Sequence, residues 1–172
     1  GNYTLTIGDV TGTCTRTVSI NLAQPNALTV TATSSSISCN NACNASLAGS
    51  VLGGSPTYTF TWITPTSTIN AAIINNQCAG TYTLIVRDAN GCSNQTVVTV
   101  AEPPAITISL TPTPPLCNGG CNGSITSTVS GGTPTYTYNW STGSTLTSIG
   151  GLCTADYSLT ITDANGCQSV AS

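Results

Sequence analysis

The sequence predicts an all-β protein made of tandem immunoglobulin-like β-sandwich repeats of about 78 residues, stapled by disulfides. Three observations lead there. Thr, Ser and Asn fill the polar positions of a chain that has no Lys, His or Met, and β-branched Thr suits a pleated strand surface. Apolar residues recur with a period of two: Tyr82, Leu84 and Val86 alternate with Thr81, Thr83 and Ile85, the mark of a strand with one face on a core. The third observation is self-similarity. "TYTLIVRDANGC" ending at Cys92 returns as "DYSLTITDANGC" ending at Cys167, and "GNYTLTIGDVTGTC" ends at Cys14. A period of this size implies an array.

Taken in chain order, Tyr3, Leu5 and Ile7 read as a strand, and "DVTGTC" as its turn with one residue more than the later copies. Leu28 to Thr33 is a strand. Leu47, Gly49 and Val51 lie on another, before the Gly53-Gly54 turn. Tyr58, Phe60 and Trp62 face inward on the next strand, as do Tyr136, Tyr138 and Trp140 in the second copy; as the bulkiest groups they are expected at the core centres. Tyr82 to Val86 and Tyr157 to Ile161 run into "D-A-N-G" hairpin turns, where Asn90-Gly91 and Asn165-Gly166 suit positive φ. Val97 to Val100 closes the repeat. Ala101 to Ala105 is expected to be a Pro-shaped turn, with Val97–Val100 and Ile106–Leu110 antiparallel on either side.

The repeats align without gaps over long stretches. Ala23-Gln24-Pro25-Asn26-Ala27 matches Ala101-Glu102-Pro103-Pro104-Ala105, "CNNACNAS" at Cys39 matches "CNGGCNGS" at Cys117, and "GGSPTYTFTW" at Gly53 matches "GGTPTYTYNW" at Gly131. Residues 1–24 are therefore expected to be the C-terminal strands of a preceding repeat, 25–102 a complete repeat and 103–172 most of a following one. The whole is expected to be a window of a longer repeating chain.

Nine cysteines without a single His point to disulfides rather than zinc, and so to a secreted or cell-surface protein. Cys78 and Cys92 are separated by a strand of ~20 Å, too far to bond. Strands after Cys43 and Cys78 run the same way, which pairs Cys43 with Cys78 and Cys121 with Cys153. The 25-residue intervals from Cys14 to Cys39 and from Cys92 to Cys117 favour Cys14–Cys39 and Cys92–Cys117 as links between repeats, leaving Cys167 to a cysteine outside this chain. Bonds kept within one repeat, Cys39–Cys92 and Cys117–Cys167, remain the alternative.

Charged residues make up only 4% of the chain, with Arg16 and Arg87 the sole cations. Nucleic acid, which needs clustered Lys and Arg, is excluded as a partner, and no apolar run approaches the ~20 residues of a membrane span. Without His or Lys the usual nucleophilic triads cannot be assembled. Asp88 and Glu102, the acids of the middle repeat, fall on a turn and a linker rather than across a cleft. No enzyme is expected, and no cofactor or metal. The "D-A-N-G" loops resemble the start of a calcium loop, but one carboxylate and an amide fall short of six to eight oxygens. Asn-x-Ser/Thr sequons occur at Asn2, Asn44, Asn94, Asn122 and Asn139; Asn44 and Asn122 are equivalent positions and the sequence-level candidates for glycosylation.

"CNGGCNGSITSTVSGGTPTYTYNW" followed by "LCTADYSLTITDANGC" resembles the SprB-type repeat of large Bacteroidota surface proteins, a family that includes a gliding-motility adhesin. The resemblance implies an immunoglobulin-like sandwich, type IX export and a stalk or adhesin role. Its usual pattern has two cysteines, so the extra pair stands on the spacing argument alone. The expectation is a non-catalytic segment of an extracellular fibre or stalk, whose partners are neighbouring repeats or other copies in a fibre. Glycan-binding modules and spacer repeats of a secreted enzyme are the alternatives.

Overall fold

A computed structural model describes residues 1–172, and every regular element in it is a β-strand. The chain opens with a hairpin of β1 (Asn2–Gly8) and β2 (Thr15–Asn21). Tyr3 faces Ile20 and Leu5 faces Val18 across its ladder. This puts five apolar side chains (Tyr3, Leu5, Ile7, Val18 and Ile20) on one face, and all of them are exposed.

A first sandwich follows, from β3 (Thr29–Ser34), β4 (Ala45–Leu52), β5 (Thr59–Ile63), β6 (Thr68–Ile69), β7 (Ile73–Gln77), β8 (Gly80–Arg87) and β9 (Ser93–Val100). Its sheets have the orders β3-β4-β7 and β6-β5-β8-β9, antiparallel throughout. Val30, Leu47 and Ile74 from one sheet meet Trp62, Tyr82, Leu84 and Val86 from the other in a single core. The arrangement is immunoglobulin-like.

A second sandwich comprises β10 (Thr107–Thr113), β11 (Gly123–Ser130), β12 (Thr137–Trp140), β13 (Ser148–Leu152), β14 (Leu159–Thr162) and β15 (Gln168–Ala171). Its sheets are β10-β11-β13 and β12-β14-β15, closed over Trp140, Ile149, Leu152, Leu159 and Ile161.

The alternation in β8 does what its period requires: Tyr82, Leu84 and Val86 are buried while Thr81 and Arg87 face solvent. Trp62 and Trp140 occupy the core centres. Trp140 Nε1 donates to the Leu146 carbonyl at 2.8 Å. Tyr58 and Tyr136 sit at the core margin instead, each donating its hydroxyl to the first glycine carbonyl of a Gly-Gly turn, Gly53 and Gly131. The second glycine of the first turn, Gly54, has φ +66°, and a Cβ there would lie 2.8 Å from Leu28 Cδ1 and 3.0 Å from Asp88 Oδ2. Only glycine meets both demands.

Two findings depart from the sequence-based expectation. Ala101 to Ala105 does not reverse the chain between paired strands: β9 pairs with β8 and β10 pairs with β11, so the segment carries the chain from one sandwich into the next. Strand β7 and its counterpart β13 have no clear alternation: the large apolar residues of β7 are the adjacent pair Ile73-Ile74, and those of β13 are Ile149 and Leu152, three positions apart.

The close contact of the sheets gives a direct test. A Cβ on Gly49 would lie 2.5 Å from Leu84 Cδ2 and 3.2 Å from Phe60 Cδ1. Gly49→Ala is expected to destabilise the first sandwich by about 1–3 kcal/mol, the usual cost of overpacking. Denaturant unfolding reads this, with Ser50→Ala as the surface control.

Candidate functional site: the joint between the sandwiches

Each sandwich has two differently built ends. The chain enters at the end that carries the D-A-N-G-C turn. In the first sandwich Asp88 Oδ1 accepts from the backbone N–H groups of Asn90 (3.0 Å) and Cys92 (2.9 Å), while Oδ2 accepts from Ser55 N–H (3.0 Å). Asp163 repeats this with Asn165, Cys167 and Thr133. Both carboxylates are buried, and both are held below the ordinary carboxyl range. The largest cause is the N–H of Ser55 or Thr133; desolvation opposes it, and the turn's own N–H groups add to it. Asp9 in the longer first turn is also lowered, chiefly by the Thr11 hydroxyl. The carboxylate is thus the internal frame of the turn, its oxygens taken up by N–H donors rather than offered to a cation. No group of three or more His, Cys, Asp or Glu side chains comes together anywhere.

The chain leaves at the other end, which carries the C-N-x-x-C loop. Here Cys43 bonds Cys78 and Cys121 bonds Cys153. Tyr82 and Tyr157 donate their hydroxyls to the Cys78 and Cys153 carbonyls. Ala42 N–H closes a tight turn onto the Cys39 carbonyl, with Asn41 at φ +59°. Asn44 and Asn122 brace the loop from behind: their Oδ1 atoms accept from Ser38 and Leu116 N–H. Asn44 Nδ2 is further engaged with the Ser38 hydroxyl.

The exit end of the first sandwich meets the turn of the second. Cys39 is bonded to Cys167, with Cα atoms 5.7 Å apart although the two stand 128 positions apart in sequence. Around the bond, Asn40 Nδ2 donates to the Pro103 carbonyl (3.1 Å), Asn41 N–H donates to the Glu102 carboxylate (2.6 Å) and Asn165 Nδ2 donates to the Ser38 carbonyl (2.9 Å). Glu102, in the linker, therefore serves the joint.

This connectivity corrects the expected one. Cys14–Cys39 and Cys92–Cys117 are not formed, Cys167 has its partner inside the chain, and Cys14, Cys92 and Cys117 are exposed thiols. The alternative within one repeat, Cys39–Cys92 and Cys117–Cys167, is not formed either. The reason is direction. Cys92 lies at the end where the chain enters its sandwich, beside Pro25 and Asn26, and so faces backward. Cys117 lies at the exit end of the second sandwich, with two sandwich lengths between the pair. Cys39 and Cys92 are likewise separated by the length of β8, ~26 Å. Placing Cys92 opposite Cys43–Cys78 was legible in the sequence; following β9 out through the far end shows that the turn looks back, not ahead.

Residues 109–145 match the SprB repeat. The matched SprB segment runs from β10 past Trp140 and takes in the C-N-x-x-C loop and the Gly131-Gly132 turn, so the resemblance seen in the sequence holds there. No curated protein matches the chain. Two solved structures are similar, one from work on Dscam isoform specificity and one of the N-terminal four Ig domains of Dscam1 isoform 6.44. Each is 15% identical, with TM-scores of 0.36 and 0.35, and each alignment covers 94% of this chain. The chain spans half the length of those chains. The architecture described above rests on strand pairing, not on that likeness.

The turn carboxylates give the protein an acid dependence whose sign is fixed. An unfolded Asp titrates near 3.8 and the folded groups titrate lower. Their stabilisation is full above about pH 5 and is lost as the pH falls through 3.8 toward the folded values. Thermal unfolding is expected at a lower temperature at pH 2 than at pH 6. The double variant Asp88→Asn, Asp163→Asn is expected to melt lower at pH 6 and to lose most of that acid dependence.

Proposed function

We propose that this chain is a non-catalytic, load-bearing segment of a long extracellular fibre or stalk. Residues 1–24 would close one sandwich, 25–102 form the next and 103–172 the one after. The observation that carries this reading is the Cys39–Cys167 bond, which joins two consecutive sandwiches outside their single linker. A linker of Ala101 to Ile106 alone would leave the sandwiches free to swing. Covalent closure over 128 positions makes them one mechanical unit. Disulfides and the SprB match support an extracellular, surface-exposed setting. A glycan-gripping module would need outward aromatics on β5 and β12, and Trp62 and Trp140 are buried. Glycans carried on Asn44 or Asn122 would attach beside the joint loop, at amides that already brace it.

Single-molecule pulling from the two termini tests the load-bearing role. In the oxidised chain, the 128-position stretch between Cys39 and Cys167 is shielded from force. Cys39→Ser leaves shielded only the loops of 35 and 32 positions closed by Cys43–Cys78 and Cys121–Cys153. The fully unfolded variant is expected to extend about 200 Å further than the parent, at ~3.5 Å per residue. Equal extension of the two would contradict a load-bearing joint.

A further inference from the structure

We infer that the groove at Cys92 is an empty copy of the filled joint at Cys167, built to receive and covalently bind the C-N-x-x-C loop of a preceding sandwich. This inference rests on the tandem-repeat reading above and adds which cysteine joins which across every junction.

The two grooves agree position by position. The filled one is walled by Pro103, Pro104, Gly132 and Asp163 around Cys167, with Cys39 and Asn40 of the preceding sandwich seated in it. The empty one is walled by Pro25, Asn26, Gly54 and Asp88 around Cys92. Gly132 N–H binds the Pro104 carbonyl and Gly54 N–H binds the Asn26 carbonyl, both at 2.8 Å, so the walls share a backbone conformation. The groups that hold the incoming loop also have counterparts. Pro25 offers a carbonyl where Pro103 accepts from Asn40, and Gln24 offers a side-chain oxygen where Glu102 accepts from Asn41. Asn90 Nδ2 bonds Ser55 Oγ as Asn165 Nδ2 bonds Thr133 Oγ1, and its second proton stands where Asn165 donates to Ser38.

The donor side is present in two copies as well. Gly120 N–H closes onto the Cys117 carbonyl as Ala42 does onto Cys39, and Gly119 has φ +78° where Asn41 has +59°. The Cys117 loop therefore holds the shape of the bonded Cys39 loop while its thiol is free. The geometry makes the contact head-to-tail and able to repeat: each C-N-x-x-C loop reaches forward to the next D-A-N-G-C turn. The uncovered apolar face of β1 and β2 fits the same pattern. Its counterparts Tyr82, Leu84 and Val86 are covered by the partner sheet of their sandwich, and Tyr3, Leu5 and Ile7 await one.

Bond formation is thiol–disulfide exchange with a small disulfide oxidant such as oxidised glutathione. The Cys92 thiolate attacks the oxidant's S–S bond and releases one thiol. The incoming cysteine thiolate then displaces the second. Two electrons pass from the protein sulfurs to the oxidant, and the two thiol protons end on the two released thiols.

The test adds residues 25–79 ahead of Gly1 in the full chain, so that β1 and β2 complete a sandwich whose Cys39-type loop faces Cys92. The protein is refolded at high dilution in a glutathione redox buffer. Thiols are then counted in denaturant, and non-reduced peptides are mapped. The parent has three free thiols. The extended chain is expected to have two, Cys14 and Cys117, with a peptide joining the added first cysteine to Cys92. In a Cys92→Ser version that added cysteine is expected to stay free. Four thiols, with the added Cys43-type and Cys78-type cysteines bonded but Cys92 free, would overturn the joint while leaving the tandem reading intact. Failure of the added pair to bond would overturn both.

Discussion

The structure depends on one constraint: a cysteine held at a fixed place on each end of a sandwich, facing opposite ways along the chain. The forward-facing cysteine is positioned by a tight loop with a left-handed residue at its third position, Asn41 or Gly119. The backward-facing one is positioned by a buried carboxylate that gathers three N–H groups, including that of the cysteine itself. Neither placement depends on the joint being closed, since Cys92 and Cys117 keep it as thiols. The sandwich can therefore fold first and be linked afterward.

Such a device suits a protein with little else to hold it. Only 19 of 172 residues are buried, and the apolar ones form two small clusters of 10 and 5 residues. Small cores of this kind leave limited stability to spare. With almost no charged side chains, ion pairs cannot make up the difference. What remains is the inter-strand ladder, backbone N–H groups bound to buried carboxylates, tyrosine hydroxyls tied to turn carbonyls, and covalent closure of the exit ends.

Much of this could be read from the sequence, and for identifiable reasons. The two-residue alternation around Leu84 and Leu159 is strong because one face of β8 and β14 is wholly buried. The Gly-Gly turns are legible because Gly54 and Gly132 meet both a positive φ and a crowded neighbour. Cys43–Cys78 followed from strand direction within one sandwich. The joint did not, because spacing along the chain says nothing about which way a turn looks once the strands are laid end to end. The equal intervals from Cys14 to Cys39 and from Cys92 to Cys117 reflect the repeat, not proximity. Strand β7 was obscure for a simpler reason: a short strand with one buried side chain, Ile74, carries almost no periodic signal.

Which sulfur meets which across the linker decides whether consecutive sandwiches are covalently joined, and mapping of non-reduced peptides reads that directly. After thiol blocking and proteolysis of the oxidised chain, the account predicts a fragment pairing the Cys39 peptide with the Cys167 peptide, alongside blocked thiols at Cys14, Cys92 and Cys117. Peptides joining Cys39 to Cys92 and Cys117 to Cys167 would contradict it, since each sandwich would then be closed on itself with nothing covalent between them but the linker.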